Sequence, residues 1–275
     1  TLAYLIDPAL AQNPLYVICA VLSIFWTITL VSFRGVEATA TISTVGVIVG
    51  TFLPIAAMIG LGIYWVMEGN SPANPMAAHN WLPHVTEWNQ LPLIAGLMLG
   101  LCGIEMPAVH ARQVIDPQRT FPRATALSVA LILACTILGT LAIVTVVPRD
   151  QMNLVSGVID AFNVFLKAFH LEAWLPVAVL AIAAGAIAGV SNWVIGPCRA
   201  LFASARDGDL PTIFQRVNRF GVPWVIMLTQ GTVVSLLSLV FVYLPNVASS
   251  YWLLTSVSVQ LYMLVYVLMF LAAMR

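Results

Sequence analysis

The chain has 275 residues, of which 61% are apolar and only 8% charged. Soluble domains average about 45–50% apolar and about 25% charged residues, so an ordinary globular enzyme is excluded. The balance of 11 basic against 11 acidic residues likewise lacks the basic footprint of a nucleic-acid binder. Its 17 glycines and 16 prolines, set in apolar surroundings, suit membrane helices, which carry both residues more often than soluble ones. The composition is that of an all-α polytopic membrane protein, with the lipid bilayer as its surroundings.

A membrane-crossing helix needs about 20 mostly apolar residues. The first two such stretches run from Pro8 to Phe33 and from Ala38 to Met67. The linker Glu68–Glu87 is rich in Pro, Asn and His and holds no Lys or Arg. His79 and His84, near Trp81 and Trp88, match no metal spacing and read as solvated loop residues. The third stretch, Trp88 to Ile104, is slightly short but continues past Glu105 through Met106–Ala111. His110 follows as a surface residue, and Arg112, Arg119 and Arg123 crowd the next linker.

The fourth span is Ala124 to Pro148. Beyond it, Val155, Val158, Ile159, Phe162, Leu166 and Phe169 recur at helical spacing, with Asp160, Asn163 and Lys167 on the other face. This predicts an amphipathic helix near 154–169 that is too short to span and caps the bundle or lies at the interface. The fifth span is Ala173 to Cys198, followed by a linker with Arg206, Arg216 and Arg219. Phe220 to Met274 is uncharged, and Leu244-Pro245-Asn246 divides it into two spans. The count is seven transmembrane helices.

With alternating linkers, Arg34, Arg112, Arg119, Arg123, Arg199, Arg206, Arg216, Arg219 and Arg275 fall on one side, and only Arg149 and Lys167 on the other. The positive-inside rule then places the first helix as entering from outside and the last as ending inside. Cys19, Cys102, Cys135 and Cys198 lie far apart in apolar segments, without zinc or redox spacing. The chain starts at Thr1 without an initiator Met and ends at Arg275 just after an apolar segment. The expectation is a piece of a longer protein.

The most informative stretch is Gly100-Leu101-Cys102-Gly103-Ile104-Glu105-Met106-Pro107. Pro107 has no N–H, so the Gly103 carbonyl loses its usual helical donor, and Gly103 adds freedom at the same turn. Glu105 is an ionisable group in an apolar segment, which costs several kcal/mol unless paired or neutral. A break beside a buried carboxylate is how discontinuous transport helices present backbone and charge to a substrate. The alternative is a kinked packing helix whose Glu is protonated and bonded to a neighbour's backbone. The functional reading is preferred because intramembrane ionisable groups mark function by default.

In the fifth span, small residues (Ala183, Ala184, Gly185, Ala188, Gly189) allow close helix packing. Trp193 lies away from both interfaces above Gly196-Pro197, as a core residue or as a wall over a ligand. The last span carries Thr255, Ser256 and Ser258, then Tyr262 and Tyr266 on one face. Structural hydrogen bonding and substrate contact are both open for the tyrosines. No Walker loop, GxGxxG or GxSxG occurs. Nucleotide-driven transport, serine hydrolysis, a cofactor and a metal site therefore have no support in the sequence.

The run Cys102-Gly103-Ile104-Glu105 and then Asp116-Pro117-Gln118-Arg119-Thr120-Phe121-Pro122 resembles the sixth helix and following loop of amino-acid permeases of the amino acid–polyamine–organocation superfamily. Trp193-Val194-Ile195-Gly196-Pro197 with Asp207-Gly208-Asp209-Leu210-Pro211 resembles the eighth helix and its cytoplasmic end. Val217-Asn218-Arg219-Phe220-Gly221-Val222-Pro223 resembles the linker before the ninth. The glutamate:GABA antiporter group is the most similar branch, through the Trp193–Pro197 run and the Tyr262/Tyr266 pair.

The resemblance implies part of a five-plus-five inverted-repeat transporter fold, holding helices four to ten. Residues 14–67 would end the first repeat and 90–274 form the second; helices one to three and any beyond ten would be absent. It implies an amino-acid substrate held on unwound backbone at Cys102, Gly103 and Ile104, with Trp193 and Ser256 lining the pocket. Glu105, with Tyr262 and Tyr266, would serve gating and coupling. Leu99 stands where some relatives carry an aromatic lid, so side-chain preference does not transfer. The implied activity is amino-acid exchange by alternating access, not enzymatic catalysis, in a multi-pass protein of the bacterial inner membrane. A channel or non-transporting scaffold is the alternative. Whether the full-length protein is a homodimer stays open.

Overall fold

The computed structural model describes residues 2–5, 7–75, 91–108, 114–148 and 157–274, and every regular element among them is helical. Two short 3₁₀ turns, Leu2–Leu5 and Pro8–Gln12, lead into α1 (Pro14–Ser32). The Asn13 side chain accepts from the Leu15 and Tyr16 N–H groups at the start of α1, and Pro14 fills the first turn, where no donor is needed. α2 (Val36–Val47) continues into α3 (Leu53–Met67) through a π turn at Ile48–Phe52. The cause is Pro54: it cannot serve the Gly50 carbonyl, and Leu53 N–H reaches back to Ile48 instead.

There follow α4 (Leu91–Gly100), α5 (Pro117–Val146), α6 (Gly157–Ala168), α7 (Leu175–Asp207), α8 (Trp224–Ser238), α9 (Val240–Tyr243) and α10 (Val247–Ala273). The break at Leu244-Pro245-Asn246 is present, and Asn246 caps α10 by accepting from Ser249 N–H at 2.7 Å.

Six helical segments are long and apolar enough to cross a membrane: Pro14–Ser32, Ala40–Met67, Pro117–Val146, Glu172–Asp207, Trp224–Tyr243 and Val247–Ala273. The expected third span differs. Its helix α4 has 10 residues and stops at Gly100, after which the chain turns. A helix of that length rises about 15 Å, half the hydrocarbon core, so this segment enters the bundle without crossing it as one rod. The expected seven spans are thus six continuous helices and one broken segment among the described residues.

α7 is the central element. Against it, α2 and its π turn make a seam of small residues. A Cβ added to Gly50 would overlap the Gly185 backbone, and one added to Gly185 would lie 2.6 Å from the Gly50 carbonyl oxygen. Gly46 meets Ala184 and Ala188 in the same way one turn on. Since lipid supplies no hydrophobic drive between helices, such backbone proximity is what holds them together. On its other side, α7 shares a cluster of Phe25, Ile28, Val194, Cys198, Ile226 and Met227 with α1 and α8.

A second cluster joins Met58 of α3, Ala142 and Val146 of α5, and Ala161, Phe162 and Phe165 of α6. α6 thereby buries its apolar stripe over one end of the bundle, while Val158 stays exposed. Asn74 closes that end by donating to the Val144 and Val147 carbonyls at 2.7 and 2.8 Å. At the opposite end, the Asn218 amide donates to the Phe33 carbonyl at 2.8 Å, and its oxygen accepts from Phe220 and Val222 N–H. The linker with Arg216 and Arg219 is therefore tied to the end of α1 beside Arg34. The basic residues of these two stretches gather at one end of the bundle, as their charge pattern predicts.

Candidate functional site

After Gly100 the backbone turns through residues 101–105 and makes a 3₁₀ turn at 106–108. Gly103 sits at φ +98°, in a region that L side chains rarely adopt. Pro107 withholds the N–H that an α-helix would offer the Gly103 carbonyl, and Met106 N–H bonds that carbonyl at 3.1 Å instead. The break thus follows from Gly103 and Pro107 together.

Glu105 folds back onto this turn. Its Oε2 accepts from Gly103 N–H at 3.2 Å and from the Tyr266 hydroxyl at 2.8 Å. Neither partner is the neighbouring-helix backbone of the kinked-packing alternative. The Tyr266 ring lies 5.8 Å from that of Tyr262, and Tyr262 lies 5.7 Å from Trp193 at an interplanar angle of 89°. The circle closes at Gly103, where an added Cβ would stand 3.3 Å from the Trp193 ring. Five residues from three separate segments therefore form one connected group.

Beside this group lies a cavity of about 580 Å³, within the roughly 300–1,000 Å³ usual for small-molecule sites. Cys102, Gly103, Met106 and Pro107 form one wall, Asn192, Trp193, Ile195 and Gly196 of α7 another, and Ala40, Ser43 and Thr44 of α2 a third. Trp193 is 43% exposed, so it is a cavity wall and not a core residue. Ser43 donates to the Asn192 side-chain oxygen at 2.8 Å and sets a polar edge between α2 and α7.

Residues 1–275, the whole chain, match the family model described as amino acid permease. The chain belongs to the amino acid permease family. An uncharacterised transporter of Legionella pneumophila is 40% identical over all of this chain and 59% of its own length. Two glutamate/gamma-aminobutyrate antiporters of Lactococcus lactis are similar. One, from subspecies cremoris, is 32% identical over 86% of this chain and 47% of its own length. The other, from subspecies lactis, is 30% identical over 98% and 54%. The chain thus spans about half the length of these curated relatives. It is part of a multi-pass integral membrane protein.

Within this permease chain, Cys102, Gly103 and Trp193 line the cavity, while Glu105, Tyr262 and Tyr266 stand behind them as the connected group. Ile104 and Ser256 are half-buried and lie outside the cavity lining. Thr255 and Ser258 also stand outside it; the Ser258 hydroxyl bonds its own helix at the Leu254 carbonyl. His79, His84, Trp81, Trp88 and His110 fall outside the described residues. Sequence reasoning missed Ser43, Asn192 and Met106 as wall residues. Asn192 carried a signal, being an amide beside Trp193 in an apolar span. Ser43 had none beyond a cluster of Ser and Thr in α2.

Proposed function

We propose that the full-length protein is a secondary amino-acid transporter that works by exchange and alternating access, in the bacterial inner (plasma) membrane. The observation that carries this reading is the Glu105–Tyr266 hydrogen bond, which locks the broken segment to α10 beside a cavity walled by Trp193. The names of the Lactococcus antiporters support exchange, and bacterial relatives support the location. Residues 14–67 then close the first repeat of an inverted-repeat fold and 90–274 form the second.

In this mechanism the turn at Cys102–Gly103 holds the polar ends of the amino acid, because a half-helix end offers backbone groups to them. Trp193 closes over the bound substrate. Glu105 reports occupancy: with substrate against the Gly103 backbone, the Gly103 N–H to carboxylate bond yields. Tyr266 is then released or held according to what the carboxylate next accepts. The amino acid permease family and the antiporter names of the relatives support a transporter, so the group is read as a gate and not as a catalytic set.

The test is counterflow in liposomes holding the full-length protein. Saturable uptake of a labelled amino acid, accelerated by unlabelled amino acid on the far side, is the expected result. Uptake that is neither saturable nor accelerated overturns exchange and leaves the channel or scaffold.

A further inference from the structure

We infer that Gln230, which lies outside the cavity lining, is a positioning residue for Trp193. This rests on the reading of Trp193 as the moving wall. Pro197 stands inside α7 without interrupting it. Its missing N–H is the one that would have served the carbonyl four residues earlier, which belongs to Trp193. In an apolar medium no water can serve such a carbonyl, so it needs a partner from the protein. The Gln230 side chain, reaching across from α8, donates Nε2 to that carbonyl at 3.0 Å.

The other end of the same amide accepts from the Cys198 thiol at 3.0 Å, just after the proline. Gln230 therefore holds α7 on both sides of Pro197: at Trp193 before it and at Cys198 after it. Two fixed points on one amide set the orientation of the Gln230 headgroup and hence the position of the Trp193 backbone. That backbone aims the indole at Gly103 and Tyr262. Because one amide holds α7 on both sides of Pro197, closure of Trp193 and the α7–α8 contact are linked. Gly196 sharpens the point, since Met106 packs where its Cβ would be, and rotation of α7 there disturbs the broken segment directly.

The experiment is a double-variant cycle in the full-length protein. Gln230→Leu removes the amide; Pro197→Ala restores an N–H that can serve the Trp193 carbonyl within α7. Two readouts are taken. One is the half-saturation and maximal rate of exchange in liposomes. The other is the ¹⁹F resonance of 5-fluorotryptophan at position 193, assigned by its loss in Trp193→Phe.

In the native Pro197 background, Gln230→Leu is expected to shift the Trp193 resonance and raise half-saturation by about three- to tenfold, the range of single intramembrane hydrogen bonds, with a smaller change in maximal rate. In the Pro197→Ala background the same substitution is expected to change either by less than about twofold, because the carbonyl no longer needs Gln230. Gln230→Glu keeps an oxygen for Cys198 but loses the donor, and is expected to behave like Gln230→Leu. Equal effects in both backgrounds, or an unmoved resonance, overturn the inference. If the resonance moves and the cycle holds while exchange is unchanged, Gln230 still positions Trp193, but Trp193 is not the gate. If Gln230→Leu is recovered unfolded alone, recovery of the folded double variant is the predicted rescue, and failure of both overturns it.

Discussion

Two prolines adjoin the same cavity, and the chain accommodates them in opposite ways. At Pro107 the helix dissolves: α4 has already ended at Gly100, Gly103 takes φ +98°, and the Gly103 carbonyl turns to Met106. At Pro197 the helix persists from Leu175 to Asp207, because Gln230 of the neighbouring helix serves the carbonyl that the proline orphans. A third proline, Pro54, is absorbed by a π turn within its own helix. Proline alone does not decide between a broken helix and a continuous one. The decision lies with what surrounds it: a glycine able to turn the chain, or a partner able to supply the missing donor.

The difference assigns different work to the two walls. The broken wall offers backbone and a carboxylate; the intact wall carries an indole on one continuous rod. The largest expected effect comes from breaking the first. Glu105→Gln keeps the shape but turns one acceptor oxygen into an amide nitrogen, and a donor left unserved costs about 1–3 kcal/mol, so exchange in liposomes is expected to fall by about 10- to 100-fold. Native rates at every pH would remove Glu105 from coupling.

Tyr266→Phe deletes one hydrogen bond to the same carboxylate and leaves the ring stack on Tyr262. Intramembrane bonds of this kind contribute about 1–2 kcal/mol at most, so a fall of about tenfold in exchange is expected. A loss as large as that of Glu105→Gln would mean that the hydroxyl touches substrate as well.

Gly103→Ala tests the turn itself. The left-handed backbone strains any side chain by about 1–3 kcal/mol, and the new methyl presses on the Trp193 ring. Thermal unfolding of the purified protein is expected at a lower temperature, with Trp193 emission altered. An unchanged unfolding midpoint would show that the turn relaxes without cost. The smallest effect belongs to Pro197→Ala, which restores an N–H to an already continuous helix. Exchange within about twofold of native is expected, and a collapse of activity would show that the intact wall needs the proline itself.

Most of the fold is legible in the sequence, because apolar length and linker charge are strong signals and the six continuous spans carry both. The third stretch reads as a span because its apolar residues extend through Ile104, whereas its helix stops at Gly100. Hydropathy does not register a turn made by Gly103 and Pro107. The site is half legible. Glu105, Trp193, Tyr262 and Tyr266 stand out singly as unusual residues at depth, yet Glu105 and Tyr266 are 161 positions apart, and only the packing of α10 beside α4 makes them partners. Ser256 reads as a wall residue on the strength of resemblance, but α10 presents its tyrosines toward Glu105 and Trp193 instead. Gln230 is derivable in part: Pro197 announces an orphaned Trp193 carbonyl, and the sequence does not say which helix answers it.

In the proposed mechanism a carboxylate on a broken helix gates amino-acid exchange. The most direct measurement is counterflow in liposomes with the full-length protein and its Glu105→Gln variant, using a panel of labelled amino acids at acid and neutral pH. The account predicts saturable uptake by the native protein that unlabelled amino acid on the far side accelerates, and a loss of about 10- to 100-fold in the variant. Absence of acceleration for every amino acid in the panel, or equal exchange by the two proteins at both pH values, would contradict it.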